Sequence, residues 1–346
     1  MLVAKCRNRL KAKNCASDAC AMRAFDITLG ERSGAWVYRF RWRDERGASV
    51  NEFGWSGCNR LLVVGCGYLG RRVARRFRDA GKTVYAMTRS TGHAAEFEAM
   101  GIKPVLADIT VPDTLSNLPA ADAVLVAVGY DRGSGKSISE IYVQGVENLL
   151  AHLPDSVRRL VYVSSTGVYA QSDGSWVDES SPCEPVREGG RACLDAERRI
   201  AASAFADRSI VLRLAGIYGP GRLPLRGAIE RGEPLDVSGD GYLNLIYVTD
   251  AASVVLASID FPFAPRTWLV ADGQPVLRRD YYAEVARLLN APPPTFCSDG
   301  SREHARARAD ADKRISSRRL REELGVTFAF PDYRHGLAAI VAGDDA

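Results

Sequence analysis

The 346-residue chain is predicted to fold as an α/β protein, with a doubly wound parallel sheet and a smaller lobe towards its C-terminus. Three observations predict this class. Apolar, β-branched runs alternate with segments of helical periodicity, a glycine-rich turn joins the first run to the first helix, and the alternation breaks down near residue 219. Near-continuous apolar strands are typical of a parallel sheet that is buried between helices.

The glycine-rich turn lies between a predicted strand at 61–64 and a predicted helix at 68–80. Gly65 permits a tight turn, Gly67 lets the backbone approach a pyrophosphate, and Gly70 lets the helix pack against the strand. The amides at the start of the helix would then face the anion. The residues expected to line a bound dinucleotide here are those of the turn: Gly65, Gly67, Tyr68, Leu69 and Gly70.

The other elements follow in order along the chain. Strands of the sheet are predicted at 83–87, 104–107, 123–127, 159–164 and 209–214. Helices between them are predicted at 94–100 and 139–153. Beyond residue 219 glycines and prolines interrupt the pattern, and the predicted elements are strands at 243–248 and 267–270 and helices at 249–258, 279–289 and 315–324. The order of strands and helices predicts a Rossmann fold.

Three parts are expected: a poorly specified basic leader at 1–58 that need not be folded, a dinucleotide-binding core at 59–218, and a substrate-side lobe at 219–346 interleaved with the core. The leader holds eleven Lys and Arg against six Asp and Glu, whereas the remainder is nearly balanced. Because phosphate neutralisation needs clustered basic charge, the body is not expected to bind nucleic acid.

Within the leader, aromatic residues alternate with other, largely basic, residues at 35–42, which predicts a strand. Three interpretations stay open for it. It could stack single-stranded nucleic acid, form an edge strand, or be translated sequence upstream of the true start.

Composition excludes several other classes of protein. The eight cysteines and four histidines are scattered, without the spacing of a zinc site. No apolar run approaches the about 18 to 20 residues of a membrane span, and a secretory signal is missing. The sequence therefore predicts a cytoplasmic protein with reduced thiols, no metal and no membrane contact, and it gives no indication of the oligomeric state.

The end of the second strand distinguishes the two nicotinamide cofactors. An NAD site needs a carboxylate there to hold the ribose hydroxyls. This chain instead has Arg89 followed by Ser90. A guanidinium makes charge-assisted, often bidentate bonds to a phosphate, which favours NADP. NAD is the alternative, in which Arg89 would stack over the adenine or lie in solvent.

Further residues expected to line the cofactor lie at the carboxyl ends of successive strands, where an open parallel sheet binds its ligand. Asp108 is placed to accept a hydrogen bond from the adenine amino group, and residues 127–129 to line a ribose. The full set at these strand ends is Asp108, Ile109, Ala127, Val128, Gly129 and Ser164.

Four motifs identify a family: GCGYLG at 65–70, VSSTGVY at 163–169, LRLAGIYGPG at 212–221 and NLIYVTD at 244–250. From about residue 60 to 341 the chain resembles the extended or atypical short-chain dehydrogenase/reductases, the NAD(P)-dependent epimerase/dehydratase group. The resemblance implies an oxidoreductase or epimerase-like activity on a small substrate, with sugar-derived compounds among the candidates. It implies Ser165 as the catalytic serine, and Tyr218 and Tyr247 on the substrate side.

The chain departs from this family at the catalytic pair. Catalytic members carry a Tyr-xxx-Lys pair eight and four residues before a helical glutamate, and counting back from Glu197 gives Gly189 and Cys193. Neither residue replaces a phenol or an ammonium. A nucleophilic role for Cys193 would need a histidine partner, which the sequence does not identify.

Three explanations of the missing pair remain open. Tyr169 or Tyr218 supplies the phenol, the substrate needs no acid from the protein, or the protein binds the dinucleotide without turnover as a sensor or scaffold.

Overall fold

The computed structural model describes residues 24–32, 35–43, 49–53, 57–297 and 312–343. The chain divides into two units, Met1–Asn59 and Arg60–Ala346. In the first unit, three antiparallel strands form one sheet: β1 (Ala24–Arg32), β2 (Ala35–Arg43) and β3 (Ser49–Phe53). The strand predicted at 35–42 is therefore confirmed, but β2 is the central strand of this sheet and the edge position is wrong.

A seven-stranded parallel sheet is the centre of the second unit. Its strands are β4 (Arg60–Val64), β5 (Thr83–Thr88), β6 (Lys103–Leu106), β7 (Ala123–Val126), β8 (Arg159–Ser165), β10 (Ser209–Leu214) and β14 (Arg266–Val270). Their spatial order is β14-β10-β8-β7-β4-β5-β6. Because β4 lies between β5 and β7, the strand order reverses at β4, and the crevice of such a sheet opens at this switch point.

Helices cover the sheet, as the alternating pattern predicts. They are α1 (Tyr68–Asp79), α2 (Thr91–Ala99), α3 (Gly145–His152), α4 (Glu188–Ala201), α5 (Arg226–Glu230), α6 (Val248–Asp260) and α7 (Arg278–Leu288), followed by Arg318–Leu324 and Tyr333–Ala342. Helices α1 and α6 pack on each other, and so do α3 and α4. The doubly wound fold predicted from the sequence is confirmed.

The central strands β4 and β7 are short and largely apolar because both faces of the sheet are covered there. All four residues of β7 and the last four of β4 are buried. Such strands show no alternation of polar and apolar residues. In the sequence they are recognised as strands by their short length and by the glycines that flank them.

The lobe beyond residue 219 differs most from its prediction. The predicted strand at 267–270 is β14, which is an edge strand of the central sheet next to β10. Helix α6 also packs against the core, on α1, β8 and β10. The division of the second unit at 218/219 therefore stays a proposal.

Two other predicted elements have different boundaries. The predicted strand at 243–248 is two strands, β12 (Tyr242–Leu243) and β13 (Leu245–Tyr247), which pair in different small sheets with β15 (Val276–Leu277) and β11 (Gly216–Tyr218). The predicted helix at 315–324 begins at Arg318, because β16 (Arg314–Ile315) pairs with β9 (Trp176–Val177).

The predicted helix at 139–153 contains a π-helical turn, Glu140–Gln144, that leads into α3. No helix among the residues with an assigned structure is long and apolar enough to cross a bilayer. The leader cysteines Cys6, Cys15 and Cys20 lie outside the described residues.

Candidate dinucleotide-binding site

The glycine-rich turn has the geometry that a pyrophosphate requires. Gly65 has a φ of +93°, and a Cβ there would lie 2.5 Å from the backbone of Ala127. A Cβ at Gly70 would lie 2.5 Å from the carbonyl oxygen of Gly65. At Gly67, in contrast, a Cβ would meet no described atom within 4 Å. The first and third glycines allow close approaches between backbone segments, and the second leaves open space next to the backbone.

Helix α1 begins directly after this open space. Gly67 is its N-cap residue and has no side chain with which to cap the first amides, and the first turn carries no acid. Amides at a helix start and the positive end of the helix dipole stabilise a bound phosphate. The residues present therefore fit the pyrophosphate of a dinucleotide.

Tyr68 connects this turn to the lobe. Its hydroxyl donates a hydrogen bond to the carbonyl oxygen of Pro220, at 3.0 Å. The guanidinium groups of Arg72 and Arg222 lie 4.4 and 5.3 Å from the centre of its ring. The side chain of Leu69 is buried, so only its backbone can face a ligand. These contacts hold the turn next to the loop at 219–222.

At the adenosine end, Arg89 follows β5 and pairs with Asp131, which lies beyond β7. The Arg89 Nη2 to Asp131 Oδ2 distance is 3.1 Å, and the two side chains are 49% and 53% exposed. Because β4 lies between β5 and β7, this ion pair spans the carboxyl end of β4. Ser90 is the N-cap of α2, where its hydroxyl accepts from the amide of His93.

The remaining cofactor candidates at the strand ends make local contacts. One carboxylate oxygen of Asp108 accepts two hydrogen bonds from Thr110, at 2.8 and 2.7 Å. The side chain of Ile109 is buried and lies against Gly145 at the start of α3. Among residues 127–129, the amide of Ala127 donates to β4, and a Cβ at Gly129 would meet no described atom within 4 Å. Their contact with a cofactor stays a prediction, including that of Val128.

The two serines at the end of β8 differ in environment. Ser164 is buried, and its hydroxyl donates to Glu197 Oε1 at 2.5 Å. Ser165 is only partly buried, and its hydroxyl accepts from the amide of Gly167 at 3.0 Å. The hydroxyl proton of Ser165 is not used by that bond. Ser165 therefore keeps a donor for a substrate oxygen, whereas Ser164 is directed into α4.

A buried charged network lies behind these serines. Arg213 donates to both carboxylate oxygens of Glu197, at 3.1 and 2.6 Å, and to the hydroxyl of Tyr169, at 2.7 Å. Burial alone would lower the pKa of Arg213, but the hydrogen bonds and charge of Glu197 outweigh it and raise that pKa. Burial raises the pKa of Tyr169 despite the opposing effect of Arg213. The Tyr169 hydroxyl thus serves the network, and its catalytic role stays an untested prediction.

The positions of the missing pair lie on α4. A Cβ at Gly189 would meet only the end of the Ile138 side chain, at 3.3 Å, whereas one at Gly190 would overlap the carbonyl oxygen of Gly167. Cys193 is buried, and burial, reinforced by the charge of Glu197, raises its pKa to about 11. Its thiol is therefore neutral near pH 7 and lacks the reactivity of a nucleophilic cysteine.

Tyr142 is a phenol near Cys193 that the sequence pattern does not reveal. It lies on the π-helical turn, and its hydroxyl accepts from the amide of Tyr130 at 3.0 Å. Burial raises its pKa, and the nearby Cys193, once ionised at high pH, raises it further. Single-turn π-helices are frequent at functional sites, but no periodicity distinguishes them from α-helix in a sequence.

Tyr218 and Tyr247 lie in the interior of the lobe. Each is 1% exposed, and their ring centres are 5.3 Å apart in an edge-on arrangement. Tyr247 also stacks on Phe330, with 3.8 Å between ring centres. Contact of either tyrosine with a substrate stays a prediction. Within the described part of the chain, no group of His, Cys, Asp and Glu side chains could hold a metal ion.

A glycine turn fitted to a pyrophosphate, at the switch point of a parallel sheet, is the arrangement of a dinucleotide-binding Rossmann fold. The model of the NAD dependent epimerase/dehydratase family matches residues 61–271. Because this match covers more than half of the chain, the protein belongs to that family.

Known relatives share much of its length. Protein YeeZ of Escherichia coli K12 is 29% identical over 283 residues, which are 79% of this chain and 97% of YeeZ. A second relative is a ketoreductase of Stigmatella aurantiaca, the 4-hydroxy-2-methyl-3-oxo-4-farnesyl-3,4-dihydroquinoline-1-oxide ketoreductase. It is 28% identical over 236 residues, which are 64% of this chain and 70% of the ketoreductase. The structure of a functionally unknown conserved protein from Silicibacter pomeroyi DSS, 29% identical, superposes with a TM-score of 0.70, covering 83% of this chain and all of that one.

Proposed function

We propose that the protein is an NADP-dependent oxidoreductase, epimerase-like in its organisation, that acts on a small substrate; sugar-derived compounds are among the candidates. The observation that carries this proposal is the crevice itself, in which Gly67 leaves space for a pyrophosphate and Arg89 replaces the usual acid. The ketoreductase of Stigmatella aurantiaca, a relative by sequence, supports a reduction among the possible reactions. A cytoplasmic location and the absence of nucleic-acid partners stay predictions from the sequence.

The Arg89–Asp131 ion pair is compatible with a site for the 2′-phosphate. Both side chains are about half exposed, and such pairs typically contribute at most about 1 kcal/mol. Hydrogen bonds to a charged phosphate are worth about 1.5 to 3 kcal/mol. A 2′-phosphate is therefore expected to displace Asp131 from Arg89.

Replacing Arg89 by alanine is expected to weaken NADPH binding by about tenfold or more, since it removes a charge-assisted contact. NADH binding should change little. Asp131→Asn should strengthen NADPH binding by a few-fold, because it removes the competing carboxylate. Fluorescence titration of both cofactors measures these effects, and Arg226→Ala, which breaks an exposed pair on α5, is the matched control. Tighter binding of NADH than of NADPH by the wild type would contradict the assignment.

The residues that remain at the catalytic end define what the protein contributes. When bound, the nicotinamide supplies or accepts a hydride. Ser165 has a donor proton available to orient and polarise a substrate oxygen. Gly189 presents no side chain where catalytic relatives place a phenol, so Ser165 has no adjacent phenol at that position. The hydroxyl of Ser165 is the group that we propose to contact the substrate oxygen.

The second candidate function is a catalytically silent dinucleotide-binding sensor or scaffold. Gly189 and the neutral, buried thiol of Cys193 favour it, because general acid-base catalysis typically contributes 10²- to 10⁴-fold to a rate. Turnover distinguishes the two functions.

NADPH oxidation should be followed against aldehydes, ketones, quinones and nucleotide sugars. If the protein is an enzyme, Ser165→Ala is expected to lower kcat by about 10²-fold, as does loss of one preorganised donor in other active sites. Ser116→Ala, at an exposed position, serves as the control. NADPH binding without consumption, unchanged by Ser165→Ala, would instead support the sensor.

A further inference from the structure

The loop at 219–222 brings a cation to the glycine turn. The loop is closed by a hydrogen bond from the amide of Arg222 to the carbonyl oxygen of Gly219, at 2.9 Å. The hydroxyl of Tyr68 holds the loop against α1 by donating to the carbonyl oxygen of Pro220, at 3.0 Å. A Cβ at Gly219 would lie 2.6 Å from that hydroxyl, so a side chain there would disturb the contact. The backbone of Arg222 is therefore fixed beside the start of α1.

The guanidinium of Arg222 has only an aromatic ring as its partner in the described part of the chain. It lies 5.3 Å from the ring centre of Tyr68, and the guanidinium of Arg72 lies 4.4 Å from the same centre. Arg72 donates to the carbonyl oxygen of Tyr68 at 2.9 Å. Over residues 57–297 and 312–343, neither arginine forms an ion pair with a carboxylate, and the guanidinium of Arg222 makes no hydrogen bond. Its five N–H donors remain available to a ligand.

The proposed anion site lies next to this ring. Tyr68 is the first residue of α1, and the first amides of a helix have no acceptor within the helix. A pyrophosphate at the glycine turn would bind these amides. The preceding residue, Gly67, leaves open space, since its Cβ would meet no described atom within 4 Å. Arg222 thus contacts the side chain of a residue whose amide belongs to the proposed site.

A phosphate is a stronger partner for Arg222 than the tyrosine ring is. Contacts between an exposed cation and a ring are weak, whereas a guanidinium makes charge-assisted, often bidentate bonds to phosphate oxygens. Because Arg222 is exposed, a ligand that enters from solvent can reach it. Its guanidinium can turn from the ring to a phosphate without breaking a hydrogen bond or an ion pair.

We infer that Arg222 binds the pyrophosphate of the dinucleotide, which it reaches from the loop at 219–222. This inference rests on the proposed function, because it adds a residue to the same cofactor site. The consequence differs from that of Arg89. A 2′-phosphate is present in NADP alone, whereas NADP and NAD share the pyrophosphate. Arg222 is therefore expected to contribute equally to the affinity for both cofactors and not to select between them.

Cofactor binding by the full-length protein tests Arg222 without turnover. NADPH, NADH and ADP-ribose, which has the pyrophosphate but no nicotinamide, are titrated by calorimetry at constant ionic strength. Arg222→Ala should bind all three at least about tenfold more weakly than the wild type. Arg222→Lys should be intermediate, because it keeps the charge and loses the planar fork. The matched control is Arg226→Ala, which removes the same charge from an exposed pair four residues further on and should bind like the wild type.

Three results overturn this inference and leave the proposed function in place, provided that the wild type binds NADPH. The first is an unchanged affinity of Arg222→Ala for all three ligands. The second is a loss confined to NADPH, which would place Arg222 at the 2′-phosphate. The third is a loss that spares ADP-ribose, which would place Arg222 at the nicotinamide end. A wild type that binds neither dinucleotide overturns both the inference and the proposed function.

Discussion

Replacement of Glu197 by alanine is expected to lower the free energy of unfolding by about 3 to 5 kcal/mol, because it leaves the buried Arg213 guanidinium without its carboxylate. The pair is bidentate, with its shortest contact at 2.6 Å, and only 9% of each side chain is exposed. The buried hydroxyl of Ser164 would lose its acceptor in the same variant. An unpaired buried charge costs far more than the pair itself contributes.

Urea unfolding of the full-length protein, followed by circular dichroism, measures the free energy of unfolding. The network lies in the unit Arg60–Ala346, so the transition of that unit is the one compared. Glu230→Ala removes a glutamate from the exposed pair with Arg226 on α5, and is expected to cost less than about 1 kcal/mol. If Glu197→Ala lowers the free energy of unfolding no more than Glu230→Ala does, the buried network does not stabilise the fold in the way described.

Replacement of Gly67 by alanine is expected to weaken NADPH binding by at least about tenfold, while the free energy of unfolding changes by less than about 1 kcal/mol. The added methyl group meets no described atom of the protein within 4 Å, so the fold has room for it. It occupies the space through which the pyrophosphate approaches the backbone. The loss is therefore expected in affinity and not in stability.

Gly70→Ala is the contrasting variant, because its Cβ would lie 2.5 Å from the carbonyl oxygen of Gly65. It should lower both the affinity for NADPH and the stability, the latter by about 2 kcal/mol or more. Calorimetric titration and thermal unfolding of the two variants separate the effects. Wild-type affinity in Gly67→Ala would contradict a pyrophosphate at this turn.

Much of the fold is predictable because local signals mark it. The apolar runs from β4 to β10 and the glycines between them give the strands and their order along the chain. The position of β14 depends instead on pairing with β10, more than 50 residues earlier, which no local pattern reveals. The break between β12 and β13 likewise depends on Asn244, whose amide binds the distant segment at 313–315.

In the candidate site, too, some features follow from local sequence and others depend on contacts between distant residues. The roles of Gly65 and Gly70 follow from sequence order, and the structure gives both the close backbone approaches that a Cβ would block. Ser164 was predicted to line the cofactor, which stays a prediction; its hydroxyl donates to Glu197, 33 residues further along the chain, a partner that the sequence does not indicate. The hydrogen bond from Tyr68 to Pro220 likewise joins residues 152 positions apart. Contacts of this kind come from tertiary packing and leave no periodic trace in the chain.

A crystal structure of the full-length protein with NADPH is the most direct test of the proposed binding of NADP over the glycine turn, at the carboxyl end of β4. The pyrophosphate is expected within hydrogen-bonding distance of the first amides of α1, above Gly67. The 2′-phosphate is expected beside Arg89, with the Arg89–Asp131 ion pair separated. A dinucleotide bound away from this turn, or a 2′-phosphate with no contact to Arg89, would contradict the account.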